Sequence, residues 1–173
     1  AGLSYISSEA FVQSIIELWD SIDGGAEKAD AKLDELISAN AKLEKLAEGF
    51  EWSEGPEWVP DGQYLLFTDI PTNTIYKWKD GEGLSVYLRP SGLAGGKAYG
   101  EEVGSNGLML DPDGNLVMCD HGNHAIARLN AKNFTKTFLV SEYKGKRLNS
   151  PNDLVIKSNG DIYFTDPPYG LEG

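Results

Sequence analysis

Two textures of hydrophobic patterning divide this chain. In residues 1–49, Phe11, Ile15, Ile16, Leu18, Trp19 and Ile22 recur at helical spacing, which predicts an amphipathic helix over residues 8–22, stopped by Gly24 and Gly25. Residues 29–37 are rich in Ala, Lys, Leu, Asp and Glu and read either as a second helix or as a solvated linker. Residues 42–47 are ambiguous between helix and strand, the strand alternative being one that pairs with the last repeat and closes a ring. From Phe50 onward the apolar runs become short, β-branched and aromatic, with Asp-Gly or Asn-Gly turns between them. The expected organisation is therefore a helical N-terminal extension over residues 1–49 and an all-β body over residues 50–173.

The β body repeats itself. Glu54-Gly55-Pro56-Glu57-Trp58-Val59-Pro60-Asp61-Gly62 is followed by Tyr64-Leu65-Leu66-Phe67-Thr68-Asp69. Asn106 to Gly114, followed by Leu116 to Asp120, reads alike, as does Asn152 to Gly160, followed by Ile162 to Asp166. Glu54, Asn106 and Asn152 each stand eight residues before a turn glycine, and the steps between repeats are 52 and 46 residues. A period of roughly 40–50 residues with several strands in it is a mark of propeller blades. Residues 74–78 and 84–88 supply the outer strands of the first blade, and residues 125–129 and 136–140 those of the second.

This geometry gives the chemistry a place. The innermost strand of each blade runs beside the central channel, so equivalent positions face one axis at one height. Glu54, Asn106 and Asn152 are then expected to converge, offering one carboxylate and two amide oxygens, a donor set suited to a hard cation such as calcium. Asp69, Asp120 and Asp166 end equivalent strands and read as residues that hold turns together. Asp153, next to Asn152, reads as a structural hydrogen-bonding residue. Trp52, Trp58, Tyr64, Phe67, Trp78, Tyr163 and Phe164 read as packing between blades, with some available to line a sugar-like pocket.

Charge excludes one class of partner. The formal net charge is −12 and no basic stripe overrides it, which argues against nucleic acid. The short cluster Lys144-Gly145-Lys146-Arg147 reads as a solvated loop. No stretch is long and apolar enough for a membrane helix, and no signal peptide is visible. Cys119, the single cysteine, reads as a small apolar strand residue.

The motifs Trp52-Ser53-Glu54-Gly55-Pro56-Glu57-Trp58, Leu65-Leu66-Phe67-Thr68-Asp69-Ile70-Pro71, Ser105-Asn106-Gly107-Leu108, Asp120-His121-Gly122-Asn123 and Leu148-Asn149-Ser150-Pro151-Asn152-Asp153-Leu154 together resemble the gluconolactonase and regucalcin-like family. Tyr163 to Gly170 strengthens the match to its gluconolactonase-type members. The resemblance implies a six-bladed β-propeller with a divalent ion, commonly calcium, on its axis. It implies metal ligands at Glu54 and Asn152, with further ligands from later blades. The implied reaction is ring opening of a sugar lactone, with that small molecule as the partner. Asn106 is expected as a substrate or water contact, or as a cap of its own strand. His121 is expected as a base or substrate contact, or as a solvated turn residue. Six such repeats need about twice the residues found after Phe50. The chain is therefore expected to hold about the first three blades, to bind cations weakly and to turn over little by itself. A hydrolase of other esters, such as phosphotriesters, and a calcium-binding scaffold without turnover are the competing readings. Oligomeric state stays open, and a periplasmic or secreted setting is slightly favoured over the cytoplasm.

Overall fold

A computed structural model describes Lys32, Glu35, residues 44–95 and residues 102–169. The chain divides into two compact units, Ala1–Leu46 and Ala47–Gly173. The helices expected over residues 8–22 and 29–37 lie outside the described residues, apart from Lys32 and Glu35, each in a 3₁₀ turn. Glu44 to Phe50 carry neither helix nor strand.

The second unit is all-β. The strands β1 (Ser53–Val59), β2 (Tyr64–Asp69), β3 (Thr74–Lys79) and β4 (Gly83–Leu88) form one antiparallel sheet in sequence order. A second meander repeats it with β5 (Ser105–Leu110), β6 (Leu116–Asp120), β7 (Ala125–Leu129) and β8 (Lys136–Val140). A small hairpin follows, β9 (Glu142–Tyr143) with β10 (Lys146–Arg147), and then the pair β11 (Leu154–Ile156) and β12 (Ile162–Phe164). The basic cluster is thus the turn and second strand of a hairpin rather than a loop. Lys144 and Gly145 sit at its tip with φ of 51° and 73°.

The sequence of β6 explains how the sheets stack. Successive strand side chains point to opposite faces, so a strand with a sheet on both sides must be apolar throughout. Leu116 and Met118 face the first sheet, where they join Leu66, Ile75, Leu108, Ala127 and Leu129. Val117 and Cys119 face the other way and join Ile126, Leu154, Ile156, Ile162 and Phe164. Each fully buried Leu, Ile or Met side chain contributes about 1.5–3 kcal/mol relative to exposure. These two layers, rather than the solvent-screened contact of Lys77 with Glu82 on the first sheet, hold successive sheets together.

Polar side chains fix the turns at one end. Asp69 accepts hydrogen bonds from the backbone of Glu51 and Trp52 and from the Thr72 hydroxyl. Asp120 accepts from Asn123 and from Lys136 Nζ, which also donates to the carbonyls of Ser91 and Gly92. Asp166 accepts from the Asn149 backbone. The expected aromatic packing is only partly realised. Phe67 lies 4.9 Å from Phe50 and 5.7 Å from Tyr76, ring to ring. Trp52, Trp58 and Tyr163 are instead more than half exposed, on surfaces that no described residue covers.

Candidate functional site

The site is built where β1 and β5 begin and where the chain enters β11. Both inner strands are irregular at the same place in the repeat: pairing shifts between Glu54 and Glu57 in β1, and between Ser105 and Leu108 in β5. A glycine follows the oxygen-bearing residue in each. A Cβ on Gly55, whose φ is 52°, would stand 2.4 Å from the Asn106 carbonyl oxygen. A Cβ on Gly107 would stand 2.8 Å from the Asn152 carbonyl oxygen and 2.9 Å from Asp153 Cα. Neither distance is open to a real side chain, so the absent Cβ is what lets neighbouring backbones approach. The Gly107 amide also donates to the Asn152 carbonyl at 2.8 Å. Glu57 Oε1 accepts from the Leu110 amide at 2.8 Å, which ties the far ends of β1 and β5.

The main chain at Glu54, Asn106 and Asn152 is thereby brought together in series, one repeat against the next. The Glu54 side chain is half-buried, and its Oε1 accepts from the exposed Trp52 indole N–H at 3.0 Å. Asn106 is buried at 4% exposure and Asn152 is half-buried. Asp153 turns back on its own chain, its Oδ1 accepting from the Leu154 amide at 2.8 Å.

His121 follows β6, whose last residue, Asp120, pairs with Ser105 beside Asn106. It is buried at 2% exposure, so the solvated-turn reading fails. The reason is local: Gly122 lies against Leu93 and the Val103 carbonyl, so chain crosses over a turn whose composition looks polar. His121 Nδ1 lies 3.0 Å from Glu102 Oε2, without the alignment of a good hydrogen bond. Burial pushes the His121 pKa down, while Glu102 and the Ser150 backbone act against that shift. His124 Nδ1 meets the Asn149 carbonyl, so both histidines face the segment leading to Asn152. Glu102 was not foreseen. It precedes β5 in a stretch of Gly and Glu without periodicity, and only the contact with His121 marks it.

Cys119 is fully buried, and burial pushes its thiol pKa far up, which removes it as a nucleophile. Among the described residues no three His, Cys, Asp or Glu side chains cluster as metal ligands. The residues whose main chains approach here carry one carboxylate and two side-chain amides. That set fits a hard, oxygen-seeking ion and not zinc.

The model of the SMP-30/Gluconolactonase/LRE-like region matches residues 52–173. The chain belongs to that family. A gluconolactonase from Zymomonas mobilis is 43% identical over 150 residues, covering 86% of this chain and 42% of that protein. A gluconolactonase from Xanthomonas campestris superposes with a TM-score of 0.71 at 34% identity, over 84% of this chain and 44% of that one. A candidate gluconolactonase solved by X-ray crystallography gives 0.70 at 32% identity, over 82% and 45%. This SMP-30/gluconolactonase-like chain thus spans less than half the length of the relatives it matches. The matched region begins at Trp52 and so takes in all of the site just described.

Proposed function

We propose that this chain carries one side of a calcium-type lactonase site on the axis of a six-bladed β-propeller, acting on a sugar lactone. The observation that carries the reading is the serial approach of Glu54-Gly55, Asn106-Gly107 and Asn152, made possible by the missing Cβ atoms of Gly55 and Gly107. Membership of the family and the likeness to gluconolactonases support the choice of substrate class.

In this reading Glu54 and Asn152 hold the divalent cation, and Asn106 contacts the substrate or the attacking water. When bound, the cation supplies Lewis-acid polarisation of the lactone carbonyl and neutralises the charge that develops on its oxygen. The Trp52 indole donates to Glu54 Oε1 and restrains the carboxylate, whose second oxygen would be the one offered to the cation. His121, kept neutral by burial, accepts a proton from the water as its oxygen bonds to the carbonyl carbon. The ring C–O bond then breaks, and the proton returns to the departing alkoxide.

With one carboxylate in the set, cation affinity falls toward the weak end of protein calcium sites, on the order of millimolar. Acid release from gluconolactone, followed by pH-stat with calcium or with a chelator, tests the reading. The expected result is slow hydrolysis above the buffer rate that needs calcium and disappears in Glu54→Gln. A rate indifferent to chelator and to that substitution refutes it. Calcium stabilisation with no turnover would favour a binding scaffold instead.

A further inference from the structure

His121 has two nitrogens and, when neutral, one proton to give. Among the described residues neither ring nitrogen has a well-aligned hydrogen-bond partner, but the Glu102 carboxylate stands within reach, 3.0 Å from Nδ1, and the Ser150 backbone also acts on the ring. The ring cannot satisfy both without taking a positive charge, and its burial at 2% exposure opposes that charge. Among the described residues the other charged or titratable neighbour acting on it is His124, which also disfavours protonation. A carboxylate is a stronger acceptor than a peptide carbonyl, because the hydrogen bond it accepts is charge-assisted. We propose that Glu102 is the positioning residue for His121: it holds the proton on Nδ1 and so leaves the Nε2 lone pair as the basic site. This rests on the reading of His121 as the base, but the tautomer it assigns can be measured without turnover.

The placement gives the assignment its consequence. Ser150 lies two residues before Asn152, and His121 follows the strand that pairs with Ser105, beside Asn106. A proton fixed on the wrong nitrogen would present an N–H where a base is needed. Glu102 is itself half-exposed, with 37% of its side chain open, so it stands between the buried ring and the surface.

The chain has only two histidines, which makes the test direct. Imidazole ¹⁵N chemical shifts at pH 7.5 report the tautomer, with His121→Gln assigning the signals. The parent and Glu102→Asp should show Nδ1–H at His121. Glu102→Gln and Glu102→Ala should shift the tautomer toward Nε2–H, because a side-chain amide can donate to Nδ1 and alanine offers no acceptor there. The His121 titration midpoint should also fall in both, since a group that favours the charged ring has gone. Where gluconolactone turnover is measurable, kcat/KM should drop by roughly 10²-fold, the scale of a lost general base, mainly through kcat, with Glu102→Asp recovering most of it. An unchanged tautomer in Glu102→Gln overturns the proposal. So does a changed tautomer with unchanged turnover. A parent that shows the Nδ1–H tautomer but does not hydrolyse the lactone counts against the lactonase reading and leaves the Glu102–His121 pairing standing.

Discussion

Replacing Gly107 with alanine should destabilise the β unit well beyond the usual cost of a surface glycine. The added methyl would sit 2.8 Å from the Asn152 carbonyl oxygen and 2.9 Å from Asp153 Cα, both backbone atoms that cannot rotate aside. The neighbouring strand must retreat, which stretches the 2.8 Å Gly107 N–H to Asn152 hydrogen bond. Overpacking of this kind costs about 1–3 kcal/mol. A weakened buried hydrogen bond adds about 0.5–1.5 kcal/mol. The sum, about 1.5–4.5 kcal/mol, corresponds to a fall in Tm of roughly 10 °C for a unit of this size. Gly114→Ala is the control: Gly114 has φ of 78° but open space around it, so only the backbone term of about 1–2 kcal/mol applies. Urea unfolding followed by circular dichroism measures both. Equal midpoints for the two variants would refute the close approach of the second and third repeats, and with it the shared axis.

Cys119 should resist a thiol reagent in the folded protein and react only after unfolding, because it is fully buried and its thiolate is disfavoured. Fast labelling of native protein would contradict its place between the second and third sheets. His121 should make stability pH-dependent. Its folded pKa is depressed, so the unfolded chain binds the proton more readily. Its contribution is therefore complete above the ordinary imidazole value of about 6.5 and is lost as pH falls from there through the folded value. His121→Gln should flatten that part of the unfolding profile, and an unchanged slope would count against the burial of the ring.

Much of this was legible because β strands with one or two buried faces write their pairing into the sequence. The apolar runs Leu116–Asp120 and Ala125–Leu129 coincide with strands β6 and β7, since each had to pack on both faces. The equivalence of Glu54, Asn106 and Asn152 was readable from their common distance to a turn glycine. The glycines after Glu54 and Asn106 are the physical reason the main chains approach closely at those positions. What stayed hidden was local. A two-residue strand such as β9 has no alternation to read, so the sequence around Lys144 reads as a loop. The burial of His121 depends on the remote residues Leu93 and Val103 crossing Gly122, and no pattern near Asp120 announces them. Glu102 acquires a role only through that fold. The exposure of Trp52 and Trp58 could not be read from their aromatic character, which says how much area a ring can bury and not which face has a neighbour.

The proposed cation site is tested most directly by following the side-chain amide NMR signals of Asn152 and Asn106 through a calcium titration of the parent and of Glu54→Gln. A common saturable shift at Asn152, accompanied at Asn106 and abolished by Glu54→Gln, is the predicted result. An Asn152 signal that ignores calcium, or that shifts equally with and without the Glu54 carboxylate, would contradict the account.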